Sequence, residues 1–430
     1  MLTDKLKQQI QDAYSKFLEN KNLLSRYGQK LMIAEIAKTL GNIELDDENV
    51  RIGSQHLNRV LVRAMNDGNS QGVALSPQRS VHAMIALKAI KSLAEIVGEN
   101  SIAGTPLIDA MKYPDRLIRY ESAIALAGGL PQKAFPGQER VVMLLAEALA
   151  QTGTPGVLIF ANTPADVIAA SQALKGFRTA GGTNADQVIA ESAQLPSVDA
   201  ILISEDVNPD QLRRLLQTAS SSPRLDFAAK VVMVKSKNSD WFRAALTDQK
   251  LSATIASPAS ADILIQGINV ARTRAGGLAM DAKTATDYAL RSAAVMSKLA
   301  ISRGQVLDIM PAEPTLLGSL GDPRVDLAKA SAGVAAYLDS SKTQVAIGDR
   351  AIDEKTPDDV KIVLYKALAA NVKFYGNRLD ETRIDSLRKA ASSEKSPEVK
   401  SAAAEGLGSL NLTTEQVKPL ILNRPDNATP

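Results

Sequence analysis

Hydrophobic and polar positions follow two different patterns along the chain. Toward both ends, apolar and small residues recur with the spacing of one face of an α-helix, as in DRLIRYESAIALA at 115–127 and SPEVKSAAAEGLG at 396–408. Between these segments, short apolar runs rich in β-branched residues alternate with helical patterns. The chain is therefore predicted to be mainly α-helical, with an α/β domain inserted between two helical blocks.

The two helical segments share a template. A polar residue that can cap the helix opens each one, a β-branched residue stands fourth, a basic residue fifth and leucine twelfth. Weaker copies begin at 76, 322 and 357, and the copy at 322 has Asp326 in place of the base and Gly333 in place of leucine. Neighbouring copies within a block start about 35 to 39 residues apart, which is the length of a two-helix repeat. The signature residues are Asp115, Ile118, Arg119, Leu126, Val399, Lys400 and Leu407.

This template resembles the HEAT-repeat family, in the short bacterial form also called PBS-lyase HEAT-like repeats. The resemblance covers two helical domains, 1–150 and 278–423, with a polar, proline-containing tail at 424–430. It implies an α-solenoid whose stacked helix pairs bury a continuous core and present an elongated surface. An unrelated alanine-rich helical bundle is the alternative.

The central segment, 153–274, contains five predicted strands separated by helical patterns. Strict alternation of strand and helix favours a parallel sheet covered on both faces, an α/β sandwich. The strands are predicted at 157–161, 177–182, 199–204, 230–236 and 252–257, and the helices at 164–175, 184–194, 208–218, 239–249 and 259–272. This order and length resemble the receiver domain of two-component signalling, a flavodoxin-like fold.

The receiver resemblance implies positions for a phosphoryl site, but the residues at these positions lack the carboxylates and the lysine that such a site uses. Receivers use an acidic pair for magnesium, a phosphoacceptor Asp, a Ser or Thr, and a Lys before proline, because carboxylates hold the cation and the cation and Lys neutralise phosphoryl charge. The equivalent positions are Ala161 and Asn162 for the acidic pair, Ser204 for the phosphoacceptor, Lys235 or Ser236 for the hydroxyl, and Ser257 with Pro258 for the Lys-Pro pair. We therefore predict no metal, no cofactor and no catalytic residue at this site.

Two acidic residues follow Ser204 and could replace the missing phosphoacceptor. A shift of one residue at a strand end turns the side chain to the other face, so Glu205 is expected to point away from the position of Ser204. Asp206 comes one residue later. The segment ISEDV is thus predicted to end a strand that occupies the place of a receiver's active-site strand but lacks the phosphoacceptor carboxylate.

Other candidate sites have plainer interpretations. The chain has no cysteine, which excludes thiolate nucleophiles and cysteine-ligated metals. It has two histidines, His56 and His82, which nearly excludes a His triad or a His-ligated metal site. Trp241 is expected to pack in the core. Arg272 and Arg274 are expected at a solvated helix end, and the glycines of GGT at 181–183 are expected to form a turn before a helix.

Charge and hydropathy limit the partners. The net charge is +3 and the basic residues are not concentrated in one segment, so nucleic acid is not an expected partner. No apolar run is long enough for a membrane span, and the charged N-terminus does not read as a signal peptide. A cytoplasmic location is expected, or a periplasmic one if the N-terminus has been trimmed.

These patterns favour a non-catalytic scaffold that binds another protein or its own copies. The alternative is a signalling protein whose receiver-like domain senses a small ligand or a phosphoryl group. A third interpretation, an enzyme that acts on a chromophore, rests only on analogy with the lyase branch of the repeat family.

Overall fold

The computed structural model describes residues 57–66, 77–96, 106–234, 252–275, 280–304 and 306–412. Several predictions therefore lie outside the described residues: Lys235, Ser236, His56, Trp241, the helix at 239–249, the start of the repeat copy at 76 and the tail at 424–430. The described chain is mostly helical and contains a five-stranded parallel sheet, as predicted.

The first helical block has α4 at its centre. Its helices are α1 at 57–66, α2 Pro77–Ile96, α3 Leu107–Ala110, α4 Arg116–Gly128 and α5 Gln138–Leu149. The carboxylate of Asp115 caps α4 by accepting a hydrogen bond from the Leu117 backbone N–H at 2.9 Å. Ile118 and Leu126 are fully buried. The prediction of a single buried stripe is too narrow, because α2, α3 and α5 all pack on α4 and its residues 118–127 are all buried.

The α/β segment folds as predicted, with every strand within about two residues of its predicted bounds. Its elements are β1 Gly156–Phe160, α6 Pro164–Ala173, β2 Arg178–Gly182, α7 Ala185–Glu191, β3 Ala200–Ser204, α8 Pro209–Ser221, β4 Ala229–Val234, β5 Ser252–Ala256 and α9 Ala261–Arg274. The strand order is β2-β1-β3-β4-β5, and all four pairings are parallel. This is the flavodoxin-like order of a doubly wound sheet.

Helices cover both faces of the sheet, so the inner strands are mostly apolar, with Ser204 in β3 and Lys230 in β4 as their polar residues. Alternate side chains of β1 and β3 point to opposite faces: Leu158 and Ile203 pack against α7 and α8, whereas Ile159 and Leu202 pack against α6 and α9. The third strand ends with Ser204, which lies opposite Met233 in the register.

The C-terminal helices pack in two interleaved series. They are α10 Ala282–Ser302, α11 Glu313–Ser319, α12 Val325–Ala335, α13 Ser341–Ile352, α14 Asp358–Tyr375, α15 Glu381–Ser393 and α16 Pro397–Gly408. The predicted repeat copies correspond to α12, α14 and α16, which contact one another in succession, as do α11, α13 and α15. In α16, Val399 is buried, Leu407 is half-buried and Lys400 is exposed.

Contacts divide the chain into two compact units. The first contains the described residues up to Val295 together with Gly304–Asp308, and the second contains Met296–Arg303 and the residues from Ile309 onward. The first helical block and the α/β segment therefore belong to one unit, although the predicted boundary between them at 150 to 153 stays a prediction. In the described part of the chain, no helix combines the length and the apolar character needed to cross a membrane.

Candidate functional site

The carboxyl edge of the sheet is where an open α/β fold places a ligand, because the strand ends and the following loops meet there. Ala161, buried, and Asn162, exposed, directly follow β1, and Ser204 closes the neighbouring β3. Ser257 and Pro258 follow β5, joined by a cis peptide bond. The described receiver-equivalent residues thus lie at one edge, with Ala161 and Ser204 on adjacent strands.

Ser204 is engaged with a neighbouring acid. Its side chain is almost fully buried, and its hydroxyl donates a hydrogen bond to the Oδ1 atom of Asp206. The backbone N–H of Glu205 donates to the carbonyl of Met233 at 3.1 Å, which continues the strand pairing one residue past Ser204. The carboxylate that reaches the strand end therefore comes from Asp206, two residues along the chain, rather than from the strand itself.

The residues present do not fit the magnesium ion that a receiver would hold. Mg²⁺ requires a nearly octahedral set of oxygen ligands and is bound in such sites by carboxylates. At the position of the acidic pair the chain has the methyl group of Ala161 and the amide of Asn162. Among the described residues, no group of three or more His, Cys, Asp or Glu side chains could hold a metal ion.

The opposite, amino edge of the sheet contains a buried ionic cluster centred on Asp199. This residue immediately precedes β3 and is 6% exposed. Its carboxylate accepts hydrogen bonds from the Gly156 backbone N–H at 2.9 Å and from the Ser197 hydroxyl at 3.0 Å. It also pairs with two guanidinium groups, Arg116 at 3.0 Å and Arg272 at 3.1 Å. One carboxylate therefore joins the start of α4, the start of the sheet and the last turn of α9.

The electrostatics of this cluster keep its groups charged. Burial acts to raise the pKa of Asp199, but the guanidinium groups of Arg116 and Arg272 and the two hydrogen bonds outweigh it and lower the pKa. Burial acts to lower the pKa of Arg116, but the carboxylates of Asp199 and Glu147 raise it overall. Asp199 and Arg116 are therefore a permanent ion pair at neutral pH.

The expectation that Arg272 belongs to a solvated helix end is wrong. Its side chain is 13% exposed and binds Asp199, because the C-terminal turn of α9 lies over the amino edge of the sheet. Its guanidinium also donates to the side-chain oxygen of Asn269 at 3.0 Å.

The cluster extends along α4 and α5. Arg119, the basic residue of the repeat signature, is buried, and its guanidinium donates to the carbonyls of Tyr113 and Pro114 at 2.9 and 2.7 Å. It lies 4.5 Å from the ring centre of Phe227, a residue of the α/β segment. Nearby, the Tyr120 hydroxyl donates to Glu147 at 2.7 Å. The signature base thus faces the α/β segment in α4, whereas its counterpart Lys400 in α16 faces solvent.

A further ion pair on the rim of the cluster joins α5 to the loop before β4. Arg140 pairs with Asp226 at 2.6 Å. Burial nevertheless raises the pKa of Asp226, because the nearby guanidinium groups of Arg119 and Arg140 compensate for the lost hydration only in part.

A second buried acid joins α4 to α10. The side chain of Glu121 is 1% exposed, accepts a hydrogen bond from the Tyr288 hydroxyl at 2.9 Å and pairs with both terminal nitrogens of Arg291. Burial and the adjacent Glu121 carboxylate raise the pKa of Tyr288, so this hydroxyl keeps its proton and remains a donor. The carboxylates of Asp199 and Glu121 are both engaged in ion pairs, which hold α4 against the sheet and against α10.

Sequence reasoning missed this cluster. Asp199 stands in SVDAILIS, where an acidic residue precedes a mostly apolar strand, and Glu121 lies in α4, whose residues 118–127 are all buried. A buried ionised residue needs a partner of opposite charge. An acidic residue inside an apolar segment was therefore the sequence signal that could have indicated a buried ion pair. His82, the histidine that lies within the described residues, is buried in α2. The expectation that the glycines of GGT form a turn is wrong, because Gly181 and Gly182 are the last two residues of β2 and the next helix starts after its cap Asn184.

No protein-family model matches this chain, and no curated protein matches it.

Proposed function

We propose that the protein is a non-catalytic scaffold for protein–protein interaction, in which a receiver-like domain has kept its fold and lost its phosphoryl site. The observation that carries the proposal is the composition of the carboxyl edge. Alanine occupies the first position of the magnesium pair, and the Ser204 hydroxyl at the phosphoacceptor position is bonded to Asp206. A side chain that does not supply a carboxylate cannot form the aspartyl phosphate on which a receiver depends.

The packing of the C-terminal helices supports an interaction role. Helices α12, α14 and α16 contact one another in succession, and α11, α13 and α15 do the same. When helix pairs stack, the first helices of successive pairs contact one another, and so do the second helices. We therefore interpret the two series as a short HEAT-like solenoid. A solenoid presents a long surface to a partner, which is another protein or a second copy of this chain.

The first unit supports the same interpretation. Buried ion pairs fix α4 to the sheet through Asp199 and to α10 through Glu121. A signalling receiver needs an element that can change position, whereas these contacts hold a helix in one position.

The scaffold proposal is tested by cross-linking the tagged full-length protein in its native cells and purifying it for mass spectrometry. We expect a stoichiometric foreign protein, or the chain itself in a defined oligomer. Cross-links should include exposed lysines of the C-terminal helices, such as Lys373, Lys389 and Lys400. Recovery of an uncross-linked monomer would contradict the proposal.

The alternative, a domain that still responds to a phosphoryl group, has its own test. We expect magnesium with beryllofluoride to leave the melting temperature of the full chain unchanged, because a ligand raises stability only when it binds the folded state. A rise that Asp206→Asn abolishes would favour the alternative. A rise that Asp206→Asn leaves intact would indicate binding elsewhere.

A further inference from the structure

A cluster of three aromatic side chains, two half-buried and one exposed, lies on the second compact unit. It is formed by Tyr337, which follows α12, and by Phe374 and Tyr375 at the end of α14; we call these three residues the aromatic patch. The ring of Phe374 has its centre 5.4 Å from that of Tyr337 and 6.0 Å from that of Tyr375. Phe374 is 50% exposed, although an aromatic ring of this size is ordinarily buried.

Two arginines stack on these rings. The guanidinium of Arg303 lies 5.1 Å from the ring centre of Phe374, and that of Arg378 lies 5.9 Å from the ring centre of Tyr375. The Tyr375 hydroxyl donates to the Tyr337 carbonyl at 2.7 Å, which fixes the patch internally. The aromatic rings are therefore held in place before any partner arrives.

The charges around the patch do not balance. Arg378 pairs with Asp339 at 2.5 Å. Within the part of the chain that the structure describes, neither Arg303 nor the exposed Lys373 has a carboxylate partner. The guanidinium of Arg303 thus has no side-chain acceptor among the described residues while its planar face rests on Phe374. In this arrangement a guanidinium can bind a carboxylate through two parallel hydrogen bonds.

We propose that the aromatic patch is a docking site for an acidic segment of a partner protein that carries one large apolar side chain. The apolar side chain would pack against the exposed edge of Phe374, and flanking carboxylates would pair with Arg303 and Lys373. Aromatic and arginine side chains are the residues that dominate binding energy in protein interfaces. This proposal rests on the scaffold function and names the chemistry of its partner.

The geometry favours a protein segment over a single-stranded nucleic acid. A nucleobase binds by stacking on a free ring face and needs a basic track for the phosphates. Phe374 has Arg303 over one face and Tyr337 and Tyr375 beside it. In the described part of the chain, Arg303 and Lys373 give the patch two cations without an acidic partner, which is a smaller charge than a track for phosphates needs.

The test uses the full chain and a fluorescein-labelled peptide GEDFDEG, with GEDADEG and GKKFKKG as controls. We expect GEDFDEG to bind and to raise fluorescence anisotropy, and both controls to bind at least about tenfold more weakly. Phe374→Ala and Arg303→Gln should each weaken GEDFDEG binding about tenfold or more. Lys400→Gln removes one exposed cation elsewhere in the same unit and should leave binding unchanged.

Three outcomes would overturn the proposal: equal affinity for GEDFDEG and GEDADEG, unchanged binding by Phe374→Ala and Arg303→Gln, or tight binding of oligothymidylate that Phe374→Ala abolishes. Circular dichroism of each variant establishes that it is folded. If the peptide does not bind but cross-linking still recovers a partner, the aromatic patch is rejected as a docking site and the scaffold proposal is unaffected. Peptide binding without any recovered partner would reject the scaffold as the physiological role.

Discussion

At the scale of single residues, Asp199 is the acidic centre of the buried ionic cluster at the amino edge of the sheet. Its buried carboxylate accepts two hydrogen bonds and faces two guanidinium groups whose side chains are mostly buried. A buried ion pair adds little net stability compared with an apolar replacement, but removal of one partner leaves the other charge buried and unpaired. The cluster therefore makes the fold sensitive to any change at this position.

Asp199→Asn should reduce the free energy of unfolding by about 3 to 5 kcal/mol, because Arg116 and Arg272 would then face each other without an intervening negative charge. The measurement is urea unfolding of the full chain followed by circular dichroism. Asp210→Asn is the matched control, since Asp210 forms an exposed pair with Arg213 on α8 and such pairs contribute little. Similar losses in both variants would contradict this account.

The same residue predicts a pH dependence. Because the pKa of Asp199 in the folded chain lies below its ordinary value of 3.8, its contribution to stability is complete above that pH and is lost as the pH falls through the lowered folded value. The difference in unfolding free energy between the native protein and Asp199→Asn should therefore be constant near neutral pH and shrink below about pH 4. A difference that stays constant down to pH 3 would show that the ionic interaction is not its source.

At the scale of elements, local pattern was sufficient for the strands and insufficient for the contacts between segments. The predicted run at 157–161 became β1 Gly156–Phe160, which is buried along its whole length, because a short apolar run with β-branched residues is typical of a strand covered on both faces. The partner of Asp199 in α4 is Arg116, more than 80 residues away, and periodicity indicates which face of an element is buried but not what covers it. For this reason α4 was predicted with one apolar stripe although it is enclosed all round.

Gly333 in α12, where the repeat template has leucine, offers a test at this scale. A Cβ atom at this position would meet nothing within 4 Å. Gly333→Ala should stabilise the second unit by about 0.5 to 1 kcal/mol, since alanine loses less conformational entropy in a helix. Gly376→Ala is the contrasting variant and should destabilise, because Gly376 has φ 78° and ψ 169°, a conformation that side chains disfavour. Thermal unfolding of both variants, with shifts of opposite sign, checks the pair.

Helix caps give a second matched comparison. The Ser396 hydroxyl accepts a hydrogen bond from the Val399 backbone N–H at the start of α16, whereas Ser340 at the start of α13 makes no such side-chain bond. Ser396→Ala should therefore cost about 0.5 to 1 kcal/mol more than Ser340→Ala. Chemical denaturation monitored on the full chain measures both, and an equal cost would show that the cap hydrogen bond is unimportant.

At the scale of the whole molecule, the buried ion pairs unite the first helical block and the sheet energetically. Hydrogen exchange of Asp199→Asn should show faster exchange in α4, β1 and β3 together, because Asp199 binds a residue of α4 and the Gly156 N–H of β1 and immediately precedes β3. Amides of α14, which belongs to the second compact unit, serve as the internal reference and should be unchanged. Faster exchange confined to β3 would indicate that the cluster does not couple the two segments.

The position of Asp199 also decides how this chain can be divided into fragments. A fragment cut at 153 and 274, the natural choice from the sequence, would keep Asp199 and Arg272 but discard Arg116, Arg119 and Glu147. The excised domain would then present Phe227 and the amino edge of its sheet to water as a new, partly apolar and charged surface. Poor solubility of that fragment would thus result from the exposed interface and not from instability of the α/β fold. A fragment that begins before Asp115 keeps these contacts and should be more soluble.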